Sequence, residues 1–117
     1  MNRILLVEDD PVARMIAEDA LRAAGYQVDV AERLLTAQRL LDTRLYDLVI
    51  ADVVLDDGDG TDVADEAAAR GLKTLVITGH ADALAAARAR HDVLAKPFDP
   101  DALLAAARRH IGANDSP

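Results

Sequence analysis

The chain has 117 residues, a formal net charge of −8 and no cysteine. This length suits one domain, and 51% apolar residues are enough for a core, which excludes a disordered chain. The missing cysteine excludes a disulfide scaffold and a thiolate metal site. No apolar run approaches the roughly 20 residues of a membrane span. The acidic balance argues against nucleic-acid binding.

Five short apolar runs alternate with longer segments rich in alanine, leucine and arginine. The runs predict β-strands and the longer segments predict helices. The predicted strands are Ile4–Val7, Val28–Val30, Leu48–Ala51, Thr74–Ile77 and Val93–Ala95. All except the second are almost continuously apolar, which is typical of parallel strands covered by helices on both faces.

Proline and capping residues mark where the first and last helices begin. Asp10-Pro11 and Asp99-Pro100 each place a capping carboxylate before a proline at the first helical position. The predicted helices cover about 11–24, 33–41, 61–70, 82–90 and 100–112. The alternation predicts an α/β fold of the (βα)₅ type, a doubly wound, parallel, five-stranded sheet. We expect one domain over 1–112 and a frayed tail over 113–117.

Polar residues follow four of the predicted strands. The first, third, fourth and fifth strands are followed, in that order, by Glu8-Asp9-Asp10, Asp52, Thr78-Gly79 and Lys96-Pro97. Ligands of doubly wound sheets bind beyond the carboxyl ends of the strands, so these side chains should share one edge. Clustered carboxylates need a compensating cation, and hard oxygen ligands suit Mg²⁺. A hydroxyl and an ammonium beside a nucleophilic carboxylate suit phosphoryl transfer.

Each of these residues also has a structural explanation when it is taken alone. Glu8 and Asp9 could be solvated loop acids, Asp10 is mainly a helix cap, and Thr78 could simply end a strand. Lys96 could be an ordinary surface lysine, although it is one of only two lysines among 13 basic residues. The combination at one sheet edge is more specific than any single member.

The strand ends and their flanking residues resemble the receiver domain of two-component response regulators. The resemblance covers essentially the whole chain, and its motifs are Ile4–Asp10, Asp47–Asp52, Val76–Gly79 and Lys96–Phe98. It implies the flavodoxin-like, chemotaxis-type receiver fold. It also implies that Asp52 accepts a phosphoryl group from a sensor histidine kinase or a histidine phosphotransfer protein. Such a domain promotes only its own phosphorylation and dephosphorylation and is not otherwise an enzyme.

The resemblance implies a metal site and two residues that contact the phosphoryl group. Glu8 and Asp9 would bind Mg²⁺ with Asp52 and the backbone carbonyl of Val54. Thr78 would be the switch hydroxyl that turns toward the aspartyl phosphate. Lys96 would bond the phosphoryl group, and the peptide before the following proline would be cis. Gly60 matches the glycine that follows the phosphorylation loop.

Several positions depart from the family's pattern. Asp56 stands where a proline is usual, in a loop over 56–60 that we expect to be a solvated turn, and Val93 replaces the usual switch aromatic. The intervals between Asp52, Thr78 and Lys96 are short, which predicts short third and fourth helices. These departures support an alternative function, a receiver-like binding module that does not switch conventionally.

The sequence thus predicts a cytoplasmic, single-domain response regulator. It would signal through an unknown downstream protein or relay its phosphoryl group, with no nucleic-acid or membrane partner, and could form a homodimer through its last two helices. A phosphatase is disfavoured because Val54 stands where a second acid is wanted. A flavin carrier is disfavoured because the turn after the first strand is acidic, whereas such a carrier wants aromatics and a hydroxyl-rich loop there. His91 and His110 are predicted to be surface residues, whereas His80 could either position water or simply belong to a loop.

Overall fold

The computed structural model describes residues 2–112. The elements, in chain order, are β1 (Arg3–Val7), α1 (Pro11–Ala23), β2 (Gln27–Ala31), α2 (Leu34–Thr43), β3 (Leu48–Asp52), β4 (Val54–Leu55), β5 (Gly58–Asp59), α3 (Thr61–Ala69), β6 (Lys73–Thr78), α4 (Ala81–Arg88), β7 (Asp92–Ala95) and α5 (Pro100–Ile111). The predicted strands and helices are all present. The hairpin of β4 and β5, which the sequence did not predict, lies between β3 and α3. The predicted tail over 113–117 lies outside the described residues.

Five of the strands form one parallel sheet in the order β2-β1-β3-β6-β7. This order confirms the doubly wound fold. It places β1 and β3 side by side near the centre, so that residues following these two strands meet at the carboxyl edge.

The continuous apolar character of β1 reflects burial on both faces. Ile4 and Leu6 belong to the core cluster that includes residues of α1 and α5. Leu5 and Val7 belong to the cluster on the other face, with residues of α2 and α3. All four are fully buried, so successive side chains of one strand stabilise both helical layers.

The helix ends confirm the capping predictions and the short helices. Asp10 accepts hydrogen bonds from the amides of Val12 and Ala13 at the start of α1, and Asp99 accepts one from the amide of Asp101 in α5. The third and fourth helices have 9 and 8 residues, against 13 in α1. Within residues 2–112, no helix has the length and apolar character needed to cross a membrane.

His91 is not a surface residue, and this prediction was wrong. It is 8% exposed, because the short connection between α4 and β7 turns its ring inward. Its Nδ1 lies 2.7 Å from Oγ1 of Thr74, and its Nε2 lies 2.7 Å from Oδ1 of Asp65. His110, by contrast, is partly exposed and lies 3.1 Å from Oδ2 of Asp92.

Candidate functional site

The carboxyl edge of the sheet brings the predicted site residues together. Asp52 ends β3 and Thr78 ends the adjacent β6. Glu8 and Asp9 follow β1, and Lys96 follows β7. Each residue is therefore positioned by the end of a strand rather than by a long loop.

Three acids form a compact cluster at this edge. Glu8, Asp9 and Asp52 each offer a carboxylate oxygen, and these oxygens lie within 4.8 Å of one another. Glu8 is 1% exposed and Asp52 is 5% exposed, whereas Asp9 is only partly buried. The cluster thus has two acids at its base and one at its entrance.

Lys96, which follows the edge strand β7, contacts the two buried acids. Its Nζ lies 2.8 Å from Oδ2 of Asp52 and 2.5 Å from Oε1 of Glu8. Burial opposes the charge of Lys96, but the two carboxylates outweigh this effect and raise its pKa. The compact ammonium fits between two acids, where a forked guanidinium would fit less well. The Lys96-Pro97 peptide is cis, as the resemblance implied.

The acidic cluster is short of positive charge. Burial raises the pKa of Glu8 to about 7, and repulsion from Asp52 adds to this effect, while the hydrogen bond with Lys96 offsets only part of it. One ammonium therefore does not compensate both buried carboxylates. Together with the partly exposed carboxylate of Asp9, this all-oxygen donor set fits a hard divalent cation such as Mg²⁺.

Thr78 presents a buried hydroxyl at the end of the strand beside β3. Its side chain is fully buried, and its Oγ1 accepts a hydrogen bond from the amide of His80 at 3.1 Å. The hydroxyl proton remains available for donation to a group bound at Asp52. Val93, at the position of the usual switch aromatic, packs against an apolar cluster that contains Val53 and Ala87.

The loop after β3 is held against the acids by backbone hydrogen bonds. The amide of Val54 donates to Oδ1 of Asp52 at 3.2 Å, and the amide of Asp56 donates to Oδ2 of Asp9 at 2.8 Å. Gly60 passes so close to β3 that a Cβ there would lie 1.7 Å from the carbonyl oxygen of Asp52. This close approach explains why a glycine follows the loop.

The role of one residue of this loop was not predicted from the sequence. Asp57 is exposed, as expected for a solvated turn, but its carboxylate accepts hydrogen bonds from the amides of Leu34 and Leu35 at the start of α2. A contact between segments 23 residues apart leaves no local signal in the sequence.

Known proteins share both the sequence pattern and the fold. The transcriptional regulatory protein GlrR of Escherichia coli K12 is 35% identical over 106 residues, which cover 86% of this chain and 24% of GlrR. The chain thus spans about a quarter of that relative's length.

Two solved structures that hold magnesium are similar over nearly their full length. The response regulator TrrA of Thermotoga maritima, in complex with Mg²⁺-BeF, has a TM-score of 0.84 and 28% identity over 93% of this chain and 98% of its own. The receiver domain of the sensor histidine kinase PA1611 of Pseudomonas aeruginosa PAO1, with a magnesium ion in its active-site cleft, has a TM-score of 0.81 and 32% identity over 95% and 98%.

A match to a family model agrees with this fold. Residues 4–108 match the model of the response regulator receiver domain. The chain therefore belongs to the response regulator receiver domain family.

Proposed function

We propose that Asp52 accepts a phosphoryl group from the phosphohistidine of a sensor kinase or phosphotransfer protein, in a Mg²⁺-dependent reaction. The family is one of phosphoacceptor signalling domains rather than of conventional enzymes. The observation that carries the proposal is that the carboxylate of Asp52 lies 2.8 Å from Nζ of Lys96 and clusters with the carboxylates of Glu8 and Asp9. This arrangement offers one nucleophile, the carboxylate of Asp52, and one fixed cation, the ammonium of Lys96. It also leaves a place for a divalent cation.

The reaction requires one bond to form and one to break. A carboxylate oxygen of Asp52 attacks phosphorus, the P–N bond to the donor imidazole breaks, and the departing nitrogen keeps the electron pair. The ring leaves as neutral imidazole because its other nitrogen carries a proton. Lys96 and Thr78 then bind oxygens of the aspartyl phosphate. Mg²⁺, held by the three acids and the backbone carbonyl of Val54, would neutralise charge on the phosphoryl oxygens.

The surface beside the site suits contact with a donor protein. A groove of about 350 Å³ between α1 and the residues after β7 is lined by Val12, Ile16, Pro97 and Phe98 and opens next to Lys96. Val12 is 63% exposed. A donor imidazole must come within bonding distance of Asp52, so the donor protein has to cover the surroundings of the site, including this apolar groove. The cytoplasmic location stays a prediction from the sequence.

A labelling experiment with matched variants tests this function. The chain is incubated with acetyl phosphate or a phosphorylated kinase and Mg²⁺, together with Asp52→Asn and Asp56→Asn. We expect label on the wild type and on Asp56→Asn, which loses an exposed acid of the same edge, and none on Asp52→Asn. Equal labelling of Asp52→Asn and the wild type would refute the assignment.

Val93 favours a second candidate, a receiver that is phosphorylated but does not switch conventionally. An aliphatic side chain packed into a small core cluster cannot reorient as an aromatic ring does. If NMR spectra of α4 and α5 stay unchanged after Asp52 is loaded with beryllofluoride, this second function is correct. Light scattering on the same samples tests the homodimer. The single-domain form, the unknown downstream partner and the exclusion of nucleic acid remain predictions from the sequence.

A further inference from the structure

The helix α2 receives its N-terminal cap from a distant loop. Within residues 2–112, its own N-cap residue, Arg33, makes no side-chain capping bond. Instead, Oδ1 of Asp57 accepts a hydrogen bond from the amide of Leu34 at 2.8 Å, and Oδ2 accepts one from Leu35 at 3.5 Å. The first amides of a helix need such partners and favour a negative charge. The hydrogen bond from Leu34 also holds the pKa of Asp57 below its usual value, so the carboxylate stays ionised.

The loop that carries Asp57 also contacts the acidic cluster. Asp57 lies in the turn between β4 and β5. The preceding residue, Asp56, donates its amide hydrogen to Oδ2 of Asp9 at 2.8 Å. At Gly58, a Cβ would lie 2.7 Å from Cδ2 of Leu34. The hairpin therefore fills the space between the acids and α2, with directional bonds on both sides.

Asp9 depends more on this loop than the other two acids do. Glu8 and Asp52 are almost fully buried and both bind Lys96, whereas Asp9 is partly exposed. Leu55 anchors the hairpin in the core, but apolar contacts do not fix direction as hydrogen bonds do. Removal of the cap should therefore shift the turn without unfolding the hairpin.

We propose that Asp57 is a positioning residue for the divalent-cation site, because it fixes the hairpin that orients Asp9 through the amide of Asp56. The same hairpin carries the carbonyl of Val54. This inference rests on the metal site of the proposed function. Asp57 itself is not a ligand of the cation. It contacts the start of α2 and acts on the site through the hairpin.

Three variants separate the cap from the charge. Asp57→Asn removes the charge but keeps one side-chain oxygen that can accept from the amide of Leu34, whereas Asp57→Ala removes both the charge and the acceptor. Asp10→Ala is the matched control, since it also removes a capping carboxylate near the site, but from α1. Mg²⁺ dissociation constants are measured by NMR titration, which also confirms that each variant is folded.

We expect Asp57→Ala to bind Mg²⁺ about fivefold more weakly than Asp57→Asn, a ratio of the size that the loss of one cap produces. Asp10→Ala should lose no more affinity than Asp57→Asn. Equal affinities of Asp57→Ala and Asp57→Asn would overturn the inference, because only charge would then matter. Weakening by Asp10→Ala as large as by Asp57→Ala would also overturn it.

Hydrogen exchange provides a second readout that a merely structural cap would not move. Because coupling between two sites is reciprocal, Mg²⁺ should slow the exchange of the Leu34 amide in the wild type and have no such effect in Asp57→Ala. Unchanged exchange in the wild type would contradict the coupling. A wild type that binds Mg²⁺ and is labelled on Asp52, but shows neither effect of Asp57, refutes this inference alone. A wild type that does not bind Mg²⁺ refutes both proposals.

Discussion

Glu8 shows at the residue scale how a site can be poised for a cation at the expense of stability. Its side chain is buried next to Asp52, and this environment raises its pKa from 4.5 to about 7. At a pH below its ordinary pKa, Glu8 is protonated in both the folded and the unfolded chain, so its burial next to Asp52 lowers the free energy of unfolding only slightly. As the pH rises toward 7, the unfolded chain releases the proton first, so ionisation opposes folding.

The metal-free protein should therefore become less stable between about pH 5 and pH 8, in part because Glu8 ionises. Glu8→Gln removes this titration, so its free energy of unfolding should rise relative to the wild type by about 2 kcal/mol over that interval. Urea denaturation in EDTA at both pH values measures the change. Glu32→Gln, on the exposed Glu32, is the control and should show no comparable change. A Glu8→Gln difference that is independent of pH would contradict the assignment.

At the element scale, His91 links a helix to a strand of the sheet. It connects Asp65 of α3 to Thr74 of β6, and both Thr74 and His91 are buried. The loss of one partner in such a chain leaves a buried polar group unsatisfied, whereas the loss of both is tolerated better.

We expect His91→Leu to lower the free energy of unfolding by about 1–3 kcal/mol, because the buried hydroxyl of Thr74 would lose its partner. His110→Leu should change it by less than about 1 kcal/mol, since His110 is partly exposed and Asp92 keeps its bond from Arg109. The double variant Thr74→Val/His91→Leu should recover part of the loss. Urea denaturation compares all three, and equal effects of His91→Leu and His110→Leu would count against the bridge.

Regular elements were predictable from the sequence, because their signals are local. Apolar runs marked the five main strands, and Asp-Pro pairs marked the starts of α1 and α5. The hairpin of β4 and β5 was not predictable, since its two-residue strands carry no apolar period. The burial of His91 and the capping role of Asp57 depend on contacts between distant segments, so no local pattern announces them.

At the scale of the whole molecule, the sheet brings charged residues that are distant in sequence together at one edge. The candidate site was predictable because parallel strands end at the same edge, and each site residue ends or directly follows a strand. The opposite edge is richer in basic residues, since a groove of about 460 Å³ there is lined by Lys73, Arg88, Arg90 and His110, with Asp92 as its one acid among the described residues. Of the acids behind the net charge of −8, Glu8, Asp9 and Asp52 lie together where a cation would bind.

This distribution predicts that Mg²⁺ stabilises the folded chain specifically. A ligand that binds only the folded state adds about 1.4 kcal/mol when its free concentration is ten times the dissociation constant. For a domain of this size, that gain raises the melting temperature by roughly 5 °C. Calorimetry should show this rise for the wild type in MgCl₂ relative to NaCl of equal ionic strength.

Two variants that lose the same charge decide whether this stabilisation arises at the acidic cluster. Asp9→Asn removes a carboxylate of the cluster, whereas Asp62→Asn removes an exposed one in the first turn of α3. If Mg²⁺ acts at the cluster, Asp9→Asn loses most of the rise in melting temperature and Asp62→Asn keeps it. If Mg²⁺ only screens the acidic surface, both variants lose the same small fraction. The ionic-strength control separates these outcomes further, because NaCl reproduces screening but cannot replace a cation that is held by three carboxylates.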